Sequence, residues 1–395
     1  MAHHIRHLPI SHALVLAPLL VAATPLAELQ WTDAAAFVRN SGLNSSVAKE
    51  SPFARLPLAA KSGAWCTPAC PVRSSVWGEG QNGAGLYVGF QSDADDLWLN
   101  ATLLEKPQES QVCSSVCGSG LDLYAFDERS HAWRWVDTTK NSNGGGWKFD
   151  STTILRSMFK NNARGGSHVG SGKLTRYRLH LPIYNGLTQM AIGVPAPAKV
   201  IADPADNLLQ KAPVVWYGTS ITNGHVASRP GMIFTNALSR MLGRDVINLG
   251  FGGNGMMEQA VGAVIAQVQH AAAVVIDCNW NMNASQITTN APLLVKQLRA
   301  EWSPTKPIVL AEGTSAGSAW IVPSIRSSRE ANRAALLAAY TQLAKEDSAL
   351  HYVQGDQLIG KSGVVDIPTA QGTHPDDLGH HMIAQFYSKF LPKIL

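Results

Sequence analysis

The stretch that decides the fold reads Val214-Val215-Trp216-Tyr217-Gly218-Thr219-Ser220-Ile221-Thr222-Asn223-Gly224. Its short apolar run ends abruptly in Gly-Thr-Ser, the pattern of a buried strand that delivers a hydroxyl group at its carboxyl end. A serine at such a turn can project from the edge of a sheet, while nearby backbone N–H groups stay free to stabilise an oxyanion. Ser220 is therefore the first candidate nucleophile, although Gly-Thr-Ser can also simply turn the chain or cap a helix.

The chain beyond this stretch alternates between apolar runs and helical patterns. Strands are predicted at 214–217, 246–249, 273–276 and 308–311, and helices at 234–242, 258–270, 293–301 and 329–345. Such alternation predicts an α/β fold, in which a parallel sheet is covered by helices on both faces. Sheets of this kind bind ligands at the carboxyl ends of their strands.

The chain before this stretch has shorter apolar runs and is rich in Gly, Ser, Asn and Trp. Short strands are predicted at 85–90, 96–99, 121–126, 177–181 and 190–194, with a turn cluster at 141–146. This pattern predicts a β-sandwich or jelly-roll. The proline-rich segment 195–204 resembles a linker. We therefore expect two domains, an N-terminal β-sandwich over residues 28–205 and an α/β domain over residues 206–395.

Composition and the N-terminus limit the classes of protein. Of the 395 residues, 45% are hydrophobic and 15% charged, as in a folded globular protein, and the net charge of +4 is too small to imply nucleic-acid binding. Arg6 precedes an apolar run at 13–23, which is short for a bilayer span. We therefore predict a signal peptide over residues 1–27 and secretion, with a retained membrane anchor as the alternative.

Five cysteines fit an oxidising compartment. Cys66 and Cys70 form one C-x3-C pair, Cys113 and Cys117 form a second, and Cys278 stands apart. Two disulfides are predicted, although the sequence does not choose among three pairings, and a structural zinc site with four cysteine ligands is the alternative. Cys278 follows an apolar run and is expected to be a buried free thiol.

Three sequons begin at Asn44, Asn100 and Asn283 and would accept glycans in a eukaryotic source. Asn283 lies beside a predicted strand end of the active site, so we expect it to be unmodified.

Further chemistry follows the other strand ends. The second strand runs into the glycine-rich segment 248–255, and the third into Asp277-Cys278-Asn279-Trp280-Asn281-Met282. Backbone N–H groups of a glycine loop and a side-chain amide can together form an oxyanion hole, although the glycines can also serve only as a tight turn. Near the C-terminus, His374 follows a polar loop and precedes a predicted helix, which makes it the best candidate base.

The order of these segments resembles the SGNH, or GDSL-like, hydrolases. The four blocks of that family correspond to residues 218–222, 248–255, 277–282 and 372–379. Residues 75–77 and 177–186 also resemble the β-sandwich domain that precedes the hydrolase in one subgroup. The resemblance implies a flavodoxin-like three-layer SGNH sandwich preceded by a jelly-roll-like β-sandwich.

Carried over by position, the resemblance implies a role for four residues. Ser220 would be the nucleophile and, through its backbone N–H, one oxyanion donor. Gly253 would be the second donor and Asn281 the third, with Asn279 as the competing position. His374 would take the proton from Ser220 and return it to the leaving alcohol.

One position departs from the family pattern. The family commonly has Asp three residues before its His, and that position is Gln371. A neutral amide cannot support an imidazolium as a carboxylate does, so either a backbone carbonyl orients a Ser–His dyad or Asp366 substitutes. Asp376 and Asp377 are expected to start a helix rather than to catalyse.

The sequence thus predicts a secreted serine esterase that acts through an acyl-serine intermediate without a metal or organic cofactor. The expected partner is a small-molecule or carbohydrate ester, with acetyl groups on carbohydrate implied by the resemblance; nucleic acid and stable membrane insertion are not expected. The alternatives are a lipid acylhydrolase and a carbohydrate-binding protein with a decayed hydrolase half. Gln371 motivates the second alternative, as do the tryptophans of the N-terminal half that could stack on sugars: Trp65, Trp77, Trp98, Trp133, Trp135 and Trp147.

Overall fold

A computed structural model describes residues 26–43, 47–139, 151–160, 173–204, 211–361, 364–365 and 367–395. Nearly all of the predicted signal peptide, the turn cluster at 141–146, and Asn44, Trp147 and Asp366 lie outside the described residues. No helix within these ranges is long and apolar enough to cross a membrane.

The N-terminal half is built from antiparallel strands. They are β1 (Leu29–Asp33), β2 (Val38–Arg39), β3 (Tyr87–Ser92), β4 (Asp96–Leu103), β5 (Asp122–Asp127), β6 (Ala132–Thr138), β7 (Thr153–Lys160), β8 (Thr175–His180), β9 (Leu187–Pro195) and β10 (Val200–Ala202). One sheet has the order β1-β9-β4-β7, and the other has the order β10-β3-β8-β5-β6 with β2 beside β3. Apolar side chains from both sheets share one core, as the sequence pattern predicted.

The proline-rich segment 195–204 is not simply a linker. Its residues Val200–Ala202 form β10, which pairs antiparallel with β3. The linker prediction was therefore wrong for these residues, because three short side chains between prolines carry too little periodicity to identify an edge strand.

Short helices and two disulfides fill the connections of the N-terminal half. The helices are α1 (Leu58–Ser62), α2 (Ser74–Glu79) and α3 (Ser115–Ser119), with 3₁₀ turns at Leu26–Glu28 and Ala35–Phe37. Each C-x3-C pair closes on itself, as Cys66–Cys70 and Cys113–Cys117, which decides among the pairings that the sequence left open. Cys278 is free and buried, as predicted.

The C-terminal half contains one parallel sheet. Its strands are β11 (Val214–Gly218), β12 (Val246–Gly250), β13 (Ala273–Asp277), β14 (Ile308–Ala311) and β15 (Leu350–Val353), in the order β12-β11-β13-β14-β15. The order is that of a flavodoxin-like sheet, and the four predicted strands are all present. β15 was not predicted because it is a four-residue edge strand in which His351 and Tyr352 are only half-buried.

Helices cover both faces of this sheet. They are α4 (Ser220–Asn223), α5 (Phe234–Leu242), α6 (Gln259–Ala266), α7 (Ala284–Glu301), α8 (Pro323–Leu343), α9 (Asp356–Ile359) and α10 (Asp377–Phe390), with 3₁₀ turns at Pro230–Met232, Asn279–Asn281, Gly317–Trp320 and Leu391–Lys393. Because strand side chains alternate, Val214 and Trp216 pack towards α5 and α10, whereas Val215 and Tyr217 pack towards α6, α7 and α8.

The helix predicted at 293–301 begins earlier than expected. α7 starts at Ala284 because the Asn283 side chain accepts from the backbone N–H of Gln286, and the Gln286 side chain accepts from the backbone N–H of Asn283. This capping box fixes the helix start, and Pro292 then lies inside the helix.

The two halves meet through buried polar contacts. Tyr87 of β3 donates its hydroxyl to Asp245 at 3.1 Å, and Arg229 forms an ion pair with Asp122 of β5 at 2.6 Å. Arg55, which is 2% exposed, donates to the carbonyl of Gly250 at 2.8 Å, where β12 ends. The β-sandwich therefore holds the loops that follow β11 and β12, where the candidate site lies.

Candidate active site

Ser220 lies just beyond the carboxyl end of β11. Thr219 caps α4 by accepting from the backbone N–H of Ile221 at 3.3 Å, which makes Ser220 the first helical residue. The preceding Gly218 is required here, because a Cβ on it would lie 2.1 Å from the hydroxyl of Thr222. The tight strand-to-helix turn thus leaves Ser220 half-buried at the sheet edge.

His374 reaches Ser220 from a part of the chain 154 residues away. Its Nε2 lies 2.9 Å from Ser220 Oγ, which is hydrogen-bonding distance. Asp376 caps α10 by accepting from the backbone N–H of Gly379, which ends the loop that carries His374. The two side chains that the sequence predicted as nucleophile and base are therefore in direct contact.

Gln371 contacts both the backbone and the ring of His374. The backbone N–H of His374 donates to Gln371 Oε1 at 3.1 Å, and Gln371 Nε2 lies 2.6 Å from His374 Nδ1. A backbone N–H can only donate, so the amide oxygen must face it and the amide nitrogen must face the ring. The group behind His374 is thus the Gln371 side chain itself and not a backbone carbonyl. Asp366, the other candidate, lies outside the described residues.

The imidazole of His374 is held neutral. Burial and the nearby rings of His225 and His380 lower the pKa of His374 to about 4. The ring of His225 meets that of His374 edge to face, with 4.5 Å between the ring centroids. A neutral imidazole at physiological pH is able to accept a proton.

The glycine loop after β12 presents a free backbone donor beside Ser220. Gly253 adopts a left-handed conformation, with φ of +68°, and its N–H meets no hydrogen-bond acceptor among the described residues. Asn281 ends the 3₁₀ turn after β13, and one hydrogen of its Nδ2 is directed to the carbonyl of Phe251 at 3.3 Å. Its second N–H is left for another acceptor.

Asn279, the competing position, does not line the site. Its side chain is buried and donates to the carbonyl of Asn332 in α8 at 3.3 Å. Asn332 in turn donates to the carbonyl of Met282 at 2.6 Å. Asn279 thus ties the loop after β13 to α8, and Asn281 alone of the two asparagines lines the cleft.

Glu79 from the N-terminal half clamps the glycine loop. Its carboxylate accepts from the backbone N–H of Gly252 and from Asn254 Nδ2, the latter at 2.6 Å. These contacts fall on either side of Gly253 and fix its peptide without using its N–H. Burial is the main influence on the Glu79 carboxyl and raises its pKa.

A cleft of about 490 Å³ opens over these groups. Its lining residues are Tyr184, Ser220, Ile221, His225, Gly252, Gly253, Trp280, Asn281, Thr373 and His374. Trp280 forms a fixed wall, because its indole N–H donates to Thr314 at 3.1 Å and the guanidinium of Arg329 stacks 4.1 Å from its ring centre. Within the described ranges, no three His, Cys, Asp or Glu side chains are grouped to hold a metal ion.

Sequence reasoning missed four residues of this site: Glu79, Tyr184, His225 and Trp280. His225 follows Ser220 by five residues and Trp280 directly precedes Asn281. Both are therefore neighbours of motif residues along the chain and could have been found by examining those neighbours. Glu79 and Tyr184 belong to the N-terminal half, where nothing local marks them as part of a distant cleft.

Comparison with known proteins identifies the class of protein. Residues 211–392 match the GDSL-like lipase/acylhydrolase family, and residues 29–200 match the family described as the N-terminus of SGNH hydrolase-type esterases. No curated protein matches the chain. The chain belongs to the SGNH, or GDSL-like, family and is a carboxylic ester hydrolase with a preceding β domain.

Three solved structures share this architecture. A Bacteroides ovatus protein named as a GDSL-like lipase is 25% identical with a TM-score of 0.77, and the match covers 93% of this chain and 98% of that one. A salicylyl-acyltransferase from a tetracycline biosynthetic pathway is 17% identical with a TM-score of 0.66 and the same coverage. A family two carbohydrate esterase from Cellvibrio japonicus is 12% identical with a TM-score of 0.51, over 79% of this chain and 89% of that one. The last two show a shared fold.

Proposed function

We propose that this protein is a secreted serine esterase that removes a small acyl group, such as acetyl, from a carbohydrate ester. The observation that carries the proposal is the 2.9 Å contact between Ser220 Oγ and His374 Nε2 at the floor of the cleft. The free N–H of Gly253 and the Asn281 amide beside it support the same chemistry.

The reaction begins with attack of Ser220 Oγ on the ester carbonyl carbon, while His374 Nε2 takes the hydroxyl proton. The negative charge that develops on the carbonyl oxygen is stabilised by the backbone N–H groups of Ser220 and Gly253 and by Asn281 Nδ2. The bond to the leaving alcohol then breaks, and the imidazolium gives its proton to the alcohol oxygen.

Water completes the cycle by the same steps in reverse. His374 Nε2 takes a proton from a water molecule, whose oxygen attacks the acyl-serine carbon. The collapse of the second oxyanion releases the carboxylic acid, and the proton on His374 returns to Ser220. In this mechanism, protein side chains and backbone N–H groups carry out every proton transfer and stabilise the oxyanion. We therefore propose no metal or organic cofactor.

The walls of the cleft favour a short acyl group. Trp280 is held by Thr314 and Arg329, and Tyr184 and Ile221 add bulk around Ser220. A fixed indole cannot rotate away to admit a long chain without losing these contacts. The carbohydrate part of the proposal is motivated by the family resemblance and by the Cellvibrio japonicus carbohydrate esterase of the same fold. The two disulfides are compatible with secretion.

The test compares wild type with Ser220→Ala on nitrophenyl esters of increasing chain length. We expect acetate to be the best substrate, and the substitution to lower kcat at least about 10³-fold because the nucleophile is lost. Release of acetate from acetylated xylan or glucomannan tests the carbohydrate part. A preference for chains of eight or more carbons would favour a lipid acylhydrolase instead.

Labelling with a fluorophosphonate separates an esterase from a decayed carbohydrate-binding protein. We expect the probe to label wild type at Ser220 and to leave folded Ser220→Ala unlabelled. Folded wild-type protein that does not react would contradict the esterase proposal.

A further inference from the structure

A second groove, of about 380 Å³, lies on the outer face of the four-stranded sheet. It shares no lining residue with the cleft. Its lining includes an exposed indole, a carboxylate and uncharged polar side chains, among them Trp31, Asp33, Asn100, Thr102 and Gln189. Among the described residues that line it, none is lysine or arginine.

Trp31 forms a flat platform in this groove. It pairs with Gly193 across β1 and β9, and its ring atoms lie 2.9 to 3.0 Å from where a Gly193 Cβ would stand. Only glycine lets the indole rest this closely on the sheet. Trp31 is 38% exposed, so the part of the indole that does not contact Gly193 is accessible to solvent.

Trp98 flanks the same glycine from the other side. It pairs with Gly193 across β4 and β9, so Trp31, Gly193 and Trp98 form one row on the same face of the sheet. Its indole N–H donates to Asp96 at 3.0 Å, which fixes the ring edge. Of the five described tryptophans among the sugar-stacking candidates, Trp98 is the one in this row, although it does not itself line the groove. Trp31 was not among those candidates.

The other tryptophans of that set have different surroundings. Trp65 and Trp77 pack against the core of the C-terminal half. Trp133 lies beneath the guanidinium groups of Arg176 and Arg178, and Trp135 donates to Asp122 at 2.9 Å. Trp65, Trp77 and Trp133 are thus held by packing, whereas Trp135 is 46% exposed but does not line the groove. Trp147 lies outside the described residues.

Unused polar groups stand beside the platform. The amides of Asn100 and Gln189 form no hydrogen bond within the part of the chain that the structure describes, and both residues are exposed. Asp33 uses one oxygen to accept from the backbone N–H of Ala35 at 2.9 Å, which leaves its second oxygen available. A sugar ring presents C–H groups to an indole face and hydroxyl groups to amides and carboxylates at its rim.

We propose that this groove binds a neutral oligosaccharide chain, with one sugar ring stacked on Trp31. The lack of a lysine or arginine among the described lining residues and the presence of Asp33 disfavour acidic sugars, because an anion would meet a carboxylate without a positive partner. The groove would hold the protein on a polysaccharide independently of what the cleft hydrolyses, so this inference does not depend on the proposed function.

Native affinity electrophoresis tests this inference on the full-length protein. Gels containing soluble xylan, glucomannan or mixed-linkage β-glucan should retard wild type on at least one of the three. We expect Trp31→Ala to weaken the apparent affinity roughly tenfold or more, and Trp31→Phe to retain most of it, because a stacking ring remains. Trp320→Ala removes an indole that is 62% exposed in the 3₁₀ turn Gly317–Trp320 and should leave retardation unchanged.

Melting temperatures of the variants show that each is folded before its mobility is compared. Wild type that migrates unchanged in all three gels overturns the inference, as does folded Trp31→Ala that is retarded like wild type. Retardation abolished by fluorophosphonate treatment would assign binding to the cleft and also overturn it. A glycan found on Asn100 by mass spectrometry would itself cover the groove, and this result would also overturn the inference.

Discussion

Gln371 donates an amide N–H to Nδ1 of His374 at 2.6 Å while its oxygen is held by the backbone N–H of the same residue. In this arrangement Nδ1 is an acceptor, so the ring proton of neutral His374 is on Nε2. A base that accepts the proton of Ser220 needs Nε2 free and the proton on Nδ1. Turning the Gln371 amide would satisfy the ring but would set its NH₂ group against the backbone N–H. The Gln371 side chain therefore opposes the tautomer that the proposed mechanism requires.

Gln371→Glu should consequently increase activity. The two side chains have nearly the same shape, and a carboxylate accepts from both the backbone N–H and Nδ1–H of His374. We expect kcat on nitrophenyl acetate to rise at least about tenfold, because a carboxylate in this place also stabilises the imidazolium. The negative charge should raise the pKa of His374 above about 4, so the acid limb of kcat/KM should move to higher pH.

Gln371→Ala is the matched control for this gain. It removes the opposing donor without adding a charge, so its kcat should stay well below that of Gln371→Glu. A kcat of Gln371→Glu no higher than that of wild type, or no displacement of its acid limb, would contradict this role of Gln371 in setting the tautomer of His374.

Glu79 should act as a positioning residue for the oxyanion donors. Glu79→Ala releases Gly252 and Asn254, so the peptide of Gly253 between them loses the contacts that fix it in the cleft. We expect kcat to fall roughly 10- to 100-fold, within the range for loss of an oxyanion donor, with little change in KM. Steady-state kinetics of the folded variant measure this split.

Glu79→Gln separates positioning from general stability. The amide oxygen of the substituted side chain can still accept from the Gly252 N–H, but the amide NH₂ group faces the NH₂ group of Asn254, and two donors cannot bond. The kcat of Glu79→Gln should therefore lie between those of wild type and Glu79→Ala. If Glu79→Ala lowers only the melting temperature and leaves kcat unchanged, Glu79 has a structural role alone.

Trp280 should limit the length of the acyl group. Trp280→Ala removes the indole held between Thr314 and Arg329, which opens the cleft beside Asn281. We expect the optimum of a nitrophenyl ester series to move from acetate to longer chains, with kcat/KM for hexanoate rising several-fold relative to acetate. Trp280→Phe keeps a ring and should keep the preference for acetate. An unchanged profile in Trp280→Ala would place the acyl group elsewhere in the cleft.

Stability should decrease in acid because of the buried His380. Its Nδ1 accepts from the backbone N–H of Phe234 at 3.3 Å, and burial lowers its pKa from an ordinary 6.5 to about 4. Below pH 6.5 the unfolded chain binds a proton that the folded chain does not, so stability is complete above pH 6.5 and falls as the pH drops towards 4. The loss from this group is roughly 3 kcal/mol, and His374 contributes in the same direction.

Urea unfolding between pH 7.5 and 4 measures this slope. His380→Gln is expected to be less stable at pH 7.5 but to lose less stability on acidification, because the group that binds the proton on unfolding is gone. A variant with the wild-type slope would assign the acid sensitivity to other groups.

The sequence determined the parts of this protein that depend on neighbours along the chain. Apolar runs separated by helical patterns are sufficient to predict the parallel sheet, because strand and helix periodicities are local. Since parallel strands end at one edge, the order of strands alone assigns the motifs that carry Ser220, Gly253 and Asn281 to one place. His374 was also recognisable from its neighbours along the chain, because it follows a polar loop and precedes a predicted helix.

The tertiary structure alone decided the parts that depend on packing between distant segments. Glu79 lies 173 residues before Gly252, and no local pattern links a carboxylate in a β-sandwich to a glycine loop in another sheet. The family resemblance had favoured Asn281 over Asn279, but only the packed structure shows that α8 binds the Asn279 side chain and leaves Asn281 to line the cleft. The orientation of the Gln371 amide followed from the direction of one backbone N–H. Such contacts are selected by side-chain packing and hydrogen-bond satisfaction in three dimensions, which the linear order of residues does not specify.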